Sequence, residues 1–170
     1  SPADWQPLPG ALEAIARLNH AGWHVVVATN QPGLGRGLFD VAALNAIHGL
    51  MHKQLAALGG RIEAIFYCPH APDEACTCRK PAPGLLEQIC DRYGVDTDKV
   101  CVVGSCPEHL QAGAALGAAL HLVATGEAAA LDCAAPLAPQ WPPGTRLHAN
   151  LGALAEHLLT RPPPASTATP

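Results

Sequence analysis

The sequence predicts an open α/β fold built around a parallel sheet. Short runs rich in β-branched residues alternate along the chain with longer segments whose apolar residues recur at helical spacing. The run over residues 23–29 is apolar at nearly every position, which is typical of a parallel strand covered by helices on both faces. Apolar residues make up 49% of the 170 residues and charged residues 14%, so a buried core is available and wholesale disorder is excluded.

The first half of the chain is expected to contain two helices and two strands. Apolar residues at helical spacing predict a helix over residues 10–21 and a second, longer helix over residues 40–58. Between these helices, residues 23–29 form the first visible strand and the glycine-rich residues 31–37 form a loop. Residues 62–67, which follow the second helix, form the second predicted strand.

The second half continues the alternation of helices and strands. The predicted elements are a helix over 83–93, a strand over 100–103, a helix over 108–116, a strand over 119–123, a short edge strand over 146–149 and a helix over 151–159. Residues 161–170, which include three consecutive prolines, are expected to form a disordered tail. Residues 1–160 are therefore expected to form one domain.

Charge and hydropathy exclude several function classes. Ten Lys and Arg residues against fourteen Asp and Glu residues give a net charge of −4, which argues against a nucleic-acid partner. No apolar run approaches the roughly 18 residues of a membrane span, and no signal-like segment opens the sequence. The odd count of seven cysteines favours a reducing cytoplasm over a secreted disulfide scaffold. A cytoplasmic monomer is therefore expected.

Four metal-binding side chains lie within eleven residues after the second strand. They form the pairs Cys68-Pro69-His70 and Cys76-Thr77-Cys78. Three thiolates and one imidazole are the ligand set of a closed, structural zinc site. The alternatives are a chance gathering of buried thiols with a surface histidine, and an iron–sulfur cluster, which usually takes four thiolates. The spacing favours zinc.

A phosphate site is indicated by two polar segments. Thr29-Asn30-Gln31 directly follows the first visible strand, and ligands of open α/β folds bind at the carboxyl ends of strands. Arg79-Lys80 directly follows the last zinc ligand, and a guanidinium beside an ammonium is a suitable phosphate clamp. The plainer alternatives are a strand-ending turn for the first segment and a solvated surface pair for the second.

Several of these segments together resemble a known family. In chain order they are Val25 to Gln31, Gly35-Arg36-Gly37, Cys68-Pro69-His70, Cys76-Thr77-Cys78-Arg79-Lys80-Pro81 and Val102-Val103-Gly104. The chain is similar, from Trp5 to about Thr125, to the bacterial D-glycero-D-manno-heptose 1,7-bisphosphate phosphatases. These belong to the haloacid-dehalogenase-like superfamily, in the branch that contains histidinol-phosphate phosphatases. The resemblance implies a three-layer Rossmann-like fold with a zinc-stabilised loop.

The resemblance also implies a reaction and residue roles. The family consists of magnesium-dependent phosphatases, in which one aspartate after the first strand attacks phosphorus and a second protonates the leaving oxygen. The implied substrate is a sugar bisphosphate, hydrolysed at its C7 phosphate in heptose precursor biosynthesis. By the resemblance, Thr29 and Lys80 stabilise the phosphoryl group, and Asn30, Gln31 and Arg79 contact the substrate. The implied zinc ligands are Cys68, His70, Cys76 and Cys78.

The sequence departs from this family at catalytic positions. The family's first strand, with its Asp-x-Asp-Gly signature, is expected upstream of Ser1. In the family that strand lies centrally, so leaving it out would expose two inner sheet edges or force the neighbouring strands to close across the gap. Ser105 occupies the position of the later magnesium-binding aspartate, and His109 occupies a further acidic position. The Asp96-Thr97-Asp98 segment precedes a strand and therefore lies at the opposite end of the sheet.

These departures predict that the chain as given is catalytically impaired. A neutral hydroxyl at Ser105 is a much weaker magnesium ligand than a carboxylate. Cys106 is disfavoured as a replacement nucleophile, because cysteine-based phosphatases use a Cys–Arg loop and no arginine follows here. The alternatives are a shortened phosphatase, a degenerate phospho-sugar-binding paralogue, a histidinol-phosphate phosphatase-like enzyme and a zinc module that mediates protein contacts.

Overall fold

A computed structural model describes residues 6–30, 41–68, 70, 73 and 75–160. Five helices and five strands alternate in these ranges, close to the segments predicted from the sequence. The helices are α1 (Ala11–His20), α2 (Val41–Ala57), α3 (Gly84–Tyr93), α4 (Pro107–Leu116) and α5 (Leu151–Leu159). The strands are β1 (Val26–Asn30), β2 (Ala64–Cys68), β3 (Cys101–Gly104), β4 (Ala119–Val123) and β5 (Arg146–His148). Short 3-10 turns cover Thr97–Lys99 and Gly126–Ala128.

The strands form two parallel sheets rather than one. β1 pairs with β2, with Thr29 opposite Tyr67, and β3, β4 and β5 form a second sheet in that order. β5 lies at the edge of its sheet, as its short sequence predicts. Within the described ranges β1 and β3 are not paired, so of the two arrangements expected from the resemblance, the structure shows the one with two inner edges.

Helices cover both faces of the strands, which gives the three layers implied by the resemblance. On one face, α3 and α4 pack on β3 and β4 through a core that includes the fully buried Leu110 and Leu122. On the other face, α1 and α5 pack together around Leu154. α1 and α2 enclose a third cluster around Leu55, against which Val25, Val27 and Ile65 pack.

Specific residues end and begin the helices. Gly94, with φ of 61°, ends α3 in the left-handed region that glycine adopts without strain. The Asn150 side chain accepts a hydrogen bond of 2.8 Å from the Ala153 N–H and so caps α5. The Asp96–Asp98 segment lies in the turn before β3, at the amino end of the sheet as predicted, although the Asp96 side chain makes no capping bond.

Two predicted segments lie outside the described residues. These are the glycine-rich loop over residues 31–37 and the tail over residues 161–170. Among the described residues, no helix has both the length and the apolar character needed to cross a membrane.

Candidate functional site

The four predicted metal ligands lie together after β2. Cys68 is almost fully buried at the end of that strand, and its Sγ lies 3.3 Å from His70 Nδ1 and 3.7 Å from Cys76 Sγ. Cys78 Sγ lies 3.4 Å from the same His70 nitrogen. Tetrahedral zinc, with Zn–S near 2.3 Å and Zn–N near 2.0 Å, separates its ligand atoms by roughly 3.5–3.8 Å. These three distances lie within about 0.3 Å of the edges of one coordination tetrahedron.

The fourth distance is shorter than an edge of such a tetrahedron. Cys78 Sγ lies 2.6 Å from Cys68 Sγ. Burial and the neighbouring sulfurs raise the pKa of Cys78 to about 12. Burial also acts to raise the pKa of Cys76, but hydrogen bonds from the backbone of Arg79 and from the other thiols lower it overall. Only a cation at the centre allows all three sulfurs to ionise together, so this soft donor set fits zinc.

The cysteine loop is joined to the start of α3. The Gly84 N–H donates a 3.1 Å hydrogen bond to the carbonyl of Thr77, which stands between two of the candidate ligands. The Ala82 N–H donates a 3.0 Å bond to the Arg79 carbonyl, and the Lys80–Pro81 peptide bond is cis. The two residues after Cys78 are thereby held in a short turn between the thiol cluster and a helix.

This turn places Lys80 at the carboxyl end of β1. Its Nζ donates a 2.8 Å hydrogen bond to the carbonyl of Ala28, the residue before Thr29. Burial lowers the pKa of the Lys80 ammonium, and the nearby Cys106 sulfur partly opposes this shift. Lys80 therefore connects the end of β1 with the loop that follows β3. Thr29 and Lys80, predicted from separate segments, thus lie near each other at this strand end, and their role in phosphate binding stays a prediction.

The other predicted substrate residues are only partly described. Arg79 lies next to Lys80 in the turn and is half-buried. Asn30 is the last residue of β1, but its side chain lies outside the described part of the chain, as does the whole of Gln31.

Position 105 directly follows β3, where the resemblance places a metal-binding carboxylate, and it carries a serine. The Ser105 hydroxyl packs closely on Gly126. A β-carbon added at Gly126 would lie 3.3 Å from the Ser105 Oγ. Gly126 begins the turn after β4, and the donor atoms of Cys106, Glu108 and Glu127 lie within 4.8 Å of one another. Sequence analysis did not single out Glu127, although its place directly after β4 puts it at the same edge of the sheet.

His109, noted in the sequence as standing at a further acidic position of the family, also lies at this edge of the sheet. It is 9% exposed, and its Nδ1 is buried without a hydrogen-bond partner. Burial, followed by the neighbouring Lys80 charge, lowers the pKa of His109 to about 4, although a hydrogen bond to the backbone of Val103 acts in the opposite direction. The imidazole is therefore neutral at pH 7 and packs over Gly104, where a β-carbon would overlap the ring.

This arrangement of a parallel sheet, a lysine at a strand end and a cysteine-rich loop can be compared with known proteins. The family model of the haloacid dehalogenase-like hydrolases matches residues 2–117. The chain belongs to this family. The resemblance inferred from the sequence segments is thereby confirmed, together with the α/β fold.

Individual relatives of this haloacid dehalogenase-like hydrolase carry a more specific name. A D-glycero-beta-D-manno-heptose-1,7-bisphosphate 7-phosphatase of Bordetella bronchiseptica is 52% identical over 159 residues, which cover 94% of this chain and 87% of the relative. The Pseudomonas aeruginosa protein of the same name is 44% identical, with coverages of 92% and 85%.

Similar solved structures carry the name of the same kind of phosphatase. The crystal structure of the D,D-heptose 1,7-bisphosphate phosphatase from B. bronchiseptica, complexed with magnesium and phosphate, has a TM-score of 0.87 at 52% identity and covers 94% of this chain and 87% of that one. The phosphatase from Burkholderia thailandensis has a TM-score of 0.73 at 46% identity, with coverages of 94% and 90%.

The described residues of this chain do not present a typical magnesium site. Magnesium favours carboxylate and water oxygens in octahedral geometry. The loop after β3 offers the neutral Ser105, the soft thiol of Cys106 and the exposed carboxylate of Glu108, with Glu127 alongside. A mixed thiol and carboxylate set does not fit magnesium.

Proposed function

We propose that this hydrolase recognises the phosphate of a sugar bisphosphate at the edge formed by Thr29, Arg79 and Lys80. The substrate class is D-glycero-D-manno-heptose 1,7-bisphosphate, the substrate named for the relatives at 52% and 44% identity. In the family's reaction the C7 phosphate ester is hydrolysed, in heptose precursor biosynthesis. The 2.8 Å contact between Lys80 Nζ and the end of β1 is the observation that carries the proposal.

Lys80 supplies the charge that a phosphate requires. A half-buried ammonium is less screened by solvent than a surface lysine, so its attraction to a phosphate dianion is stronger. Thr29 adds a hydroxyl at the adjacent strand end, and Arg79 adds a guanidinium able to bind two phosphate oxygens. Asn30 ends β1 at this edge. By the resemblance, Asn30 and Gln31 are assigned to substrate contact.

We also propose that Cys68, His70, Cys76 and Cys78 hold a structural zinc ion. Zinc supplies no chemistry to the reaction in this role, but it fixes the loop that carries Arg79 and Lys80. The support is the approach of four donor atoms to within 4.8 Å of one another and the mutual repulsion of three neighbouring sulfurs. A reducing cytoplasm, where thiols persist, agrees with the lack of disulfides among the described cysteines, and a monomer stays a prediction.

We expect the serine at position 105 to impair hydrolysis. Phosphoryl transfer through a covalent intermediate requires a carboxylate nucleophile close to the phosphate. At the described strand ends that flank Lys80, Thr29 and Ser105 present hydroxyls rather than carboxylates. The Ser105 position therefore favours a second candidate function, that of a phospho-sugar-binding protein without phosphatase activity.

Phosphate binding and phosphate release test these proposals separately. Inorganic phosphate binding is measured by calorimetry for the wild type, for Lys80→Met and for Lys53→Met, a control lysine exposed on α2. Loss of a half-buried cation from a phosphate site should weaken binding by at least about tenfold, since charged hydrogen bonds contribute roughly 1.5–3 kcal/mol. Equal binding by Lys80→Met and Lys53→Met would show that the assigned edge is not the phosphate site.

Release of phosphate from heptose 1,7-bisphosphate in magnesium then distinguishes enzyme from binding protein. Turnover at the rate of the Bordetella relative, assayed in parallel, would overturn the expected impairment. Ser105→Asp restores an anionic oxygen at the loop after β3, so this variant should gain a magnesium-dependent component in phosphate binding or release. The matched variant Ser105→Asn, which has the same size without the charge, should gain none.

Zinc is tested by elemental analysis of the dialysed protein. One equivalent is expected for the wild type and for Cys133→Ser, which alters an exposed cysteine outside the cluster. Cys76→Ser should lose most of the metal and melt at a lower temperature. A metal-free wild type whose melting temperature is unchanged by chelators would refute the assignment.

A further inference from the structure

Three histidines meet at the β5 edge of the second sheet. His121 lies on β4, His148 ends β5 and His157 lies on α5. The side chains of His121 and His148 are buried, with 5% and 8% of their surface exposed, and His157 is half-buried. We call these three residues the histidine cluster. It brings together three metal-binding side chains from three separate elements of the fold.

The register of β4 and β5 places the first two imidazoles side by side. Val123 packs in the core cluster around Leu154, and residues two apart on a strand share a face, so His121 faces α5 as well. His148 stands opposite Val123 in the ladder and lies on the same face. The His121 Nδ1 and His148 Nε2 atoms are 3.0 Å apart, so one neutral ring donates a hydrogen bond and the other accepts it.

The spacing of the three rings matches that of imidazoles around one ion. The ring centroids of His121 and His148 are 5.2 Å apart, those of His148 and His157 are 5.1 Å apart, and those of His121 and His157 are 5.9 Å apart. With a Zn–N bond near 2.0 Å, the centroids of two imidazoles on one tetrahedral zinc ion lie roughly 5 Å apart. Two of the three separations agree closely with this value, and the third is less than 1 Å longer.

His157 has to turn before all three rings can reach one ion. The donor nitrogens of the three rings do not all lie within 4.8 Å of one another as they stand. Because His157 is half-buried on the last helix, a change between staggered side-chain torsions moves its nitrogens without moving the backbone. The proton shared by His121 and His148 shifts at the same time to the other nitrogen of its own ring, so each ring stays neutral.

The charges near the histidine cluster favour neutral imidazoles. Burial lowers the pKa of His148, and the neighbouring His157 and Arg146 lower it further. Arg146 stands opposite His121 in the β4–β5 ladder. Glu156, which precedes His157 on α5, is paired with Arg17 at 2.7 Å, so its charge is already balanced. The neutral imidazole is the form that binds metal ions.

We propose that His121, His148 and His157 bind a zinc ion through one nitrogen each, with water in the fourth position. Imidazole suits zinc and its transition-metal neighbours, whereas magnesium and calcium favour oxygen ligands. The ion joins β4, β5 and α5 and so stabilises the packing of the last helix on the edge strand. This inference rests on the histidine cluster alone and is independent of the proposed phosphatase activity and of the cysteine loop.

Zinc titration measures how many ions the protein binds. Dialysed protein is titrated with Zn²⁺ by calorimetry, and we expect one equivalent of binding beyond any ion held by the cysteine loop. His157→Gln removes one of the three ligands and should weaken this further binding by at least about tenfold. His52→Gln is the matched control, because His52 is an exposed histidine of α2 that lies near His48, and it should bind like the wild type.

Cys76→Ser separates the two zinc sites. This variant should lose the ion of the cysteine loop and retain the affinity of the histidine cluster. Zinc binding that disappears completely in Cys76→Ser and is unchanged in His157→Gln would assign every ion to the cysteine loop and overturn the proposal. Absence of a further equivalent at millimolar Zn²⁺ in the wild type would show that the three rings only pack against one another, and would also overturn it.

Imidazole signals in nuclear magnetic resonance spectra locate the ion in the wild type, so this measurement does not depend on the folding of any variant. One further equivalent of Zn²⁺ should shift the ring signals of all three cluster residues together. The signals of His24, which is exposed and lies 3.2 Å from Glu63, should stay in place. Unshifted cluster signals at saturating zinc, or shifts confined to His48 and His52, would place the ion elsewhere and refute the assignment.

Discussion

Gly84 lies where the cysteine loop meets the first turn of α3. Replacing it with alanine, which adds one methyl group, tests the packing of this loop on the helix. A β-carbon at position 84 would overlap the carbonyl oxygen of Thr77 and lie 2.8 Å from its carbonyl carbon. Both atoms belong to the backbone and cannot rotate away as a flexible side chain could. Gly84→Ala must therefore displace either α3 or the Cys76-Thr77-Cys78 turn.

The size of the effect follows from the contacts that are lost. Breaking the hydrogen bond from Gly84 to Thr77 costs about 1 kcal/mol, and forcing a methyl against backbone costs roughly 1–3 kcal/mol. The lower unfolded-state entropy of alanine offsets about 0.4–1 kcal/mol. The free energy of unfolding should fall by about 2 kcal/mol, which lowers the melting temperature by about 4–8 °C for a chain of this size.

Thermal unfolding followed by circular dichroism measures this change, and a chromogenic chelator measures zinc release in the same samples. Gly49→Ala is the matched control, because Gly49 lies inside α2 with open space around its α-carbon. That variant should be stabilised by up to about 1 kcal/mol through helix propensity. If Gly84→Ala melted within a degree of the wild type and retained its zinc, the close packing of loop and helix would be refuted.

Three other variants or conditions test the core, the buried imidazole and the surface. Leu154→Ala removes a fully buried side chain between α1 and α5, and should lower the free energy of unfolding by about 3 kcal/mol in urea titrations. The pKa of His109 is lowered to about 4 in the folded state and is about 6.5 when unfolded, so the unfolded state binds more protons below pH 6.5. The contribution of the neutral His109 to the free energy of unfolding is thus present at pH 7 and falls by about 2 kcal/mol at pH 5. His109→Gln should remove this loss. An identical dependence of the unfolding free energy on pH in both proteins would contradict this expectation. Arg17→Ala breaks an exposed 2.7 Å ion pair with Glu156 and should change stability by less than about 1 kcal/mol in the same titrations, a larger loss being inconsistent with a solvated pair.

The strands and helices could be predicted because their apolar periodicity is strong and local. The boundaries depended on contacts that periodicity does not show. The sequence predicts a strand from Trp23, but β1 begins at Val26, because the Trp23 N–H bonds the Leu18 carbonyl and the Asn19 amide bonds the Trp23 carbonyl. These bonds hold Trp23 against the end of α1. A side chain and a turn therefore decide where the extended backbone begins.

The candidate site could be predicted where its residues are close in sequence. Cys68, His70, Cys76 and Cys78 lie within one short loop, so their spacing alone indicated a metal site. The proximity of His109 to Lys80 and of Glu127 to Cys106 depends instead on how loops from different strands meet at one edge of the sheet. Such proximity follows from strand order and loop path, which no local pattern in the sequence specifies.

A single residue separates Lys80 from Cys78. This short connection links phosphate binding by the ammonium to the oxidation state of the thiols. Peroxide or a mild disulfide oxidant that converts the thiolates would release the ion and free the turn that positions the ammonium. Anion affinity would then respond to the oxidation state of sulfur atoms that never touch the anion. With the proposed zinc ion bound, the supply of reductant and metal would therefore affect how well this edge of the sheet binds phosphate.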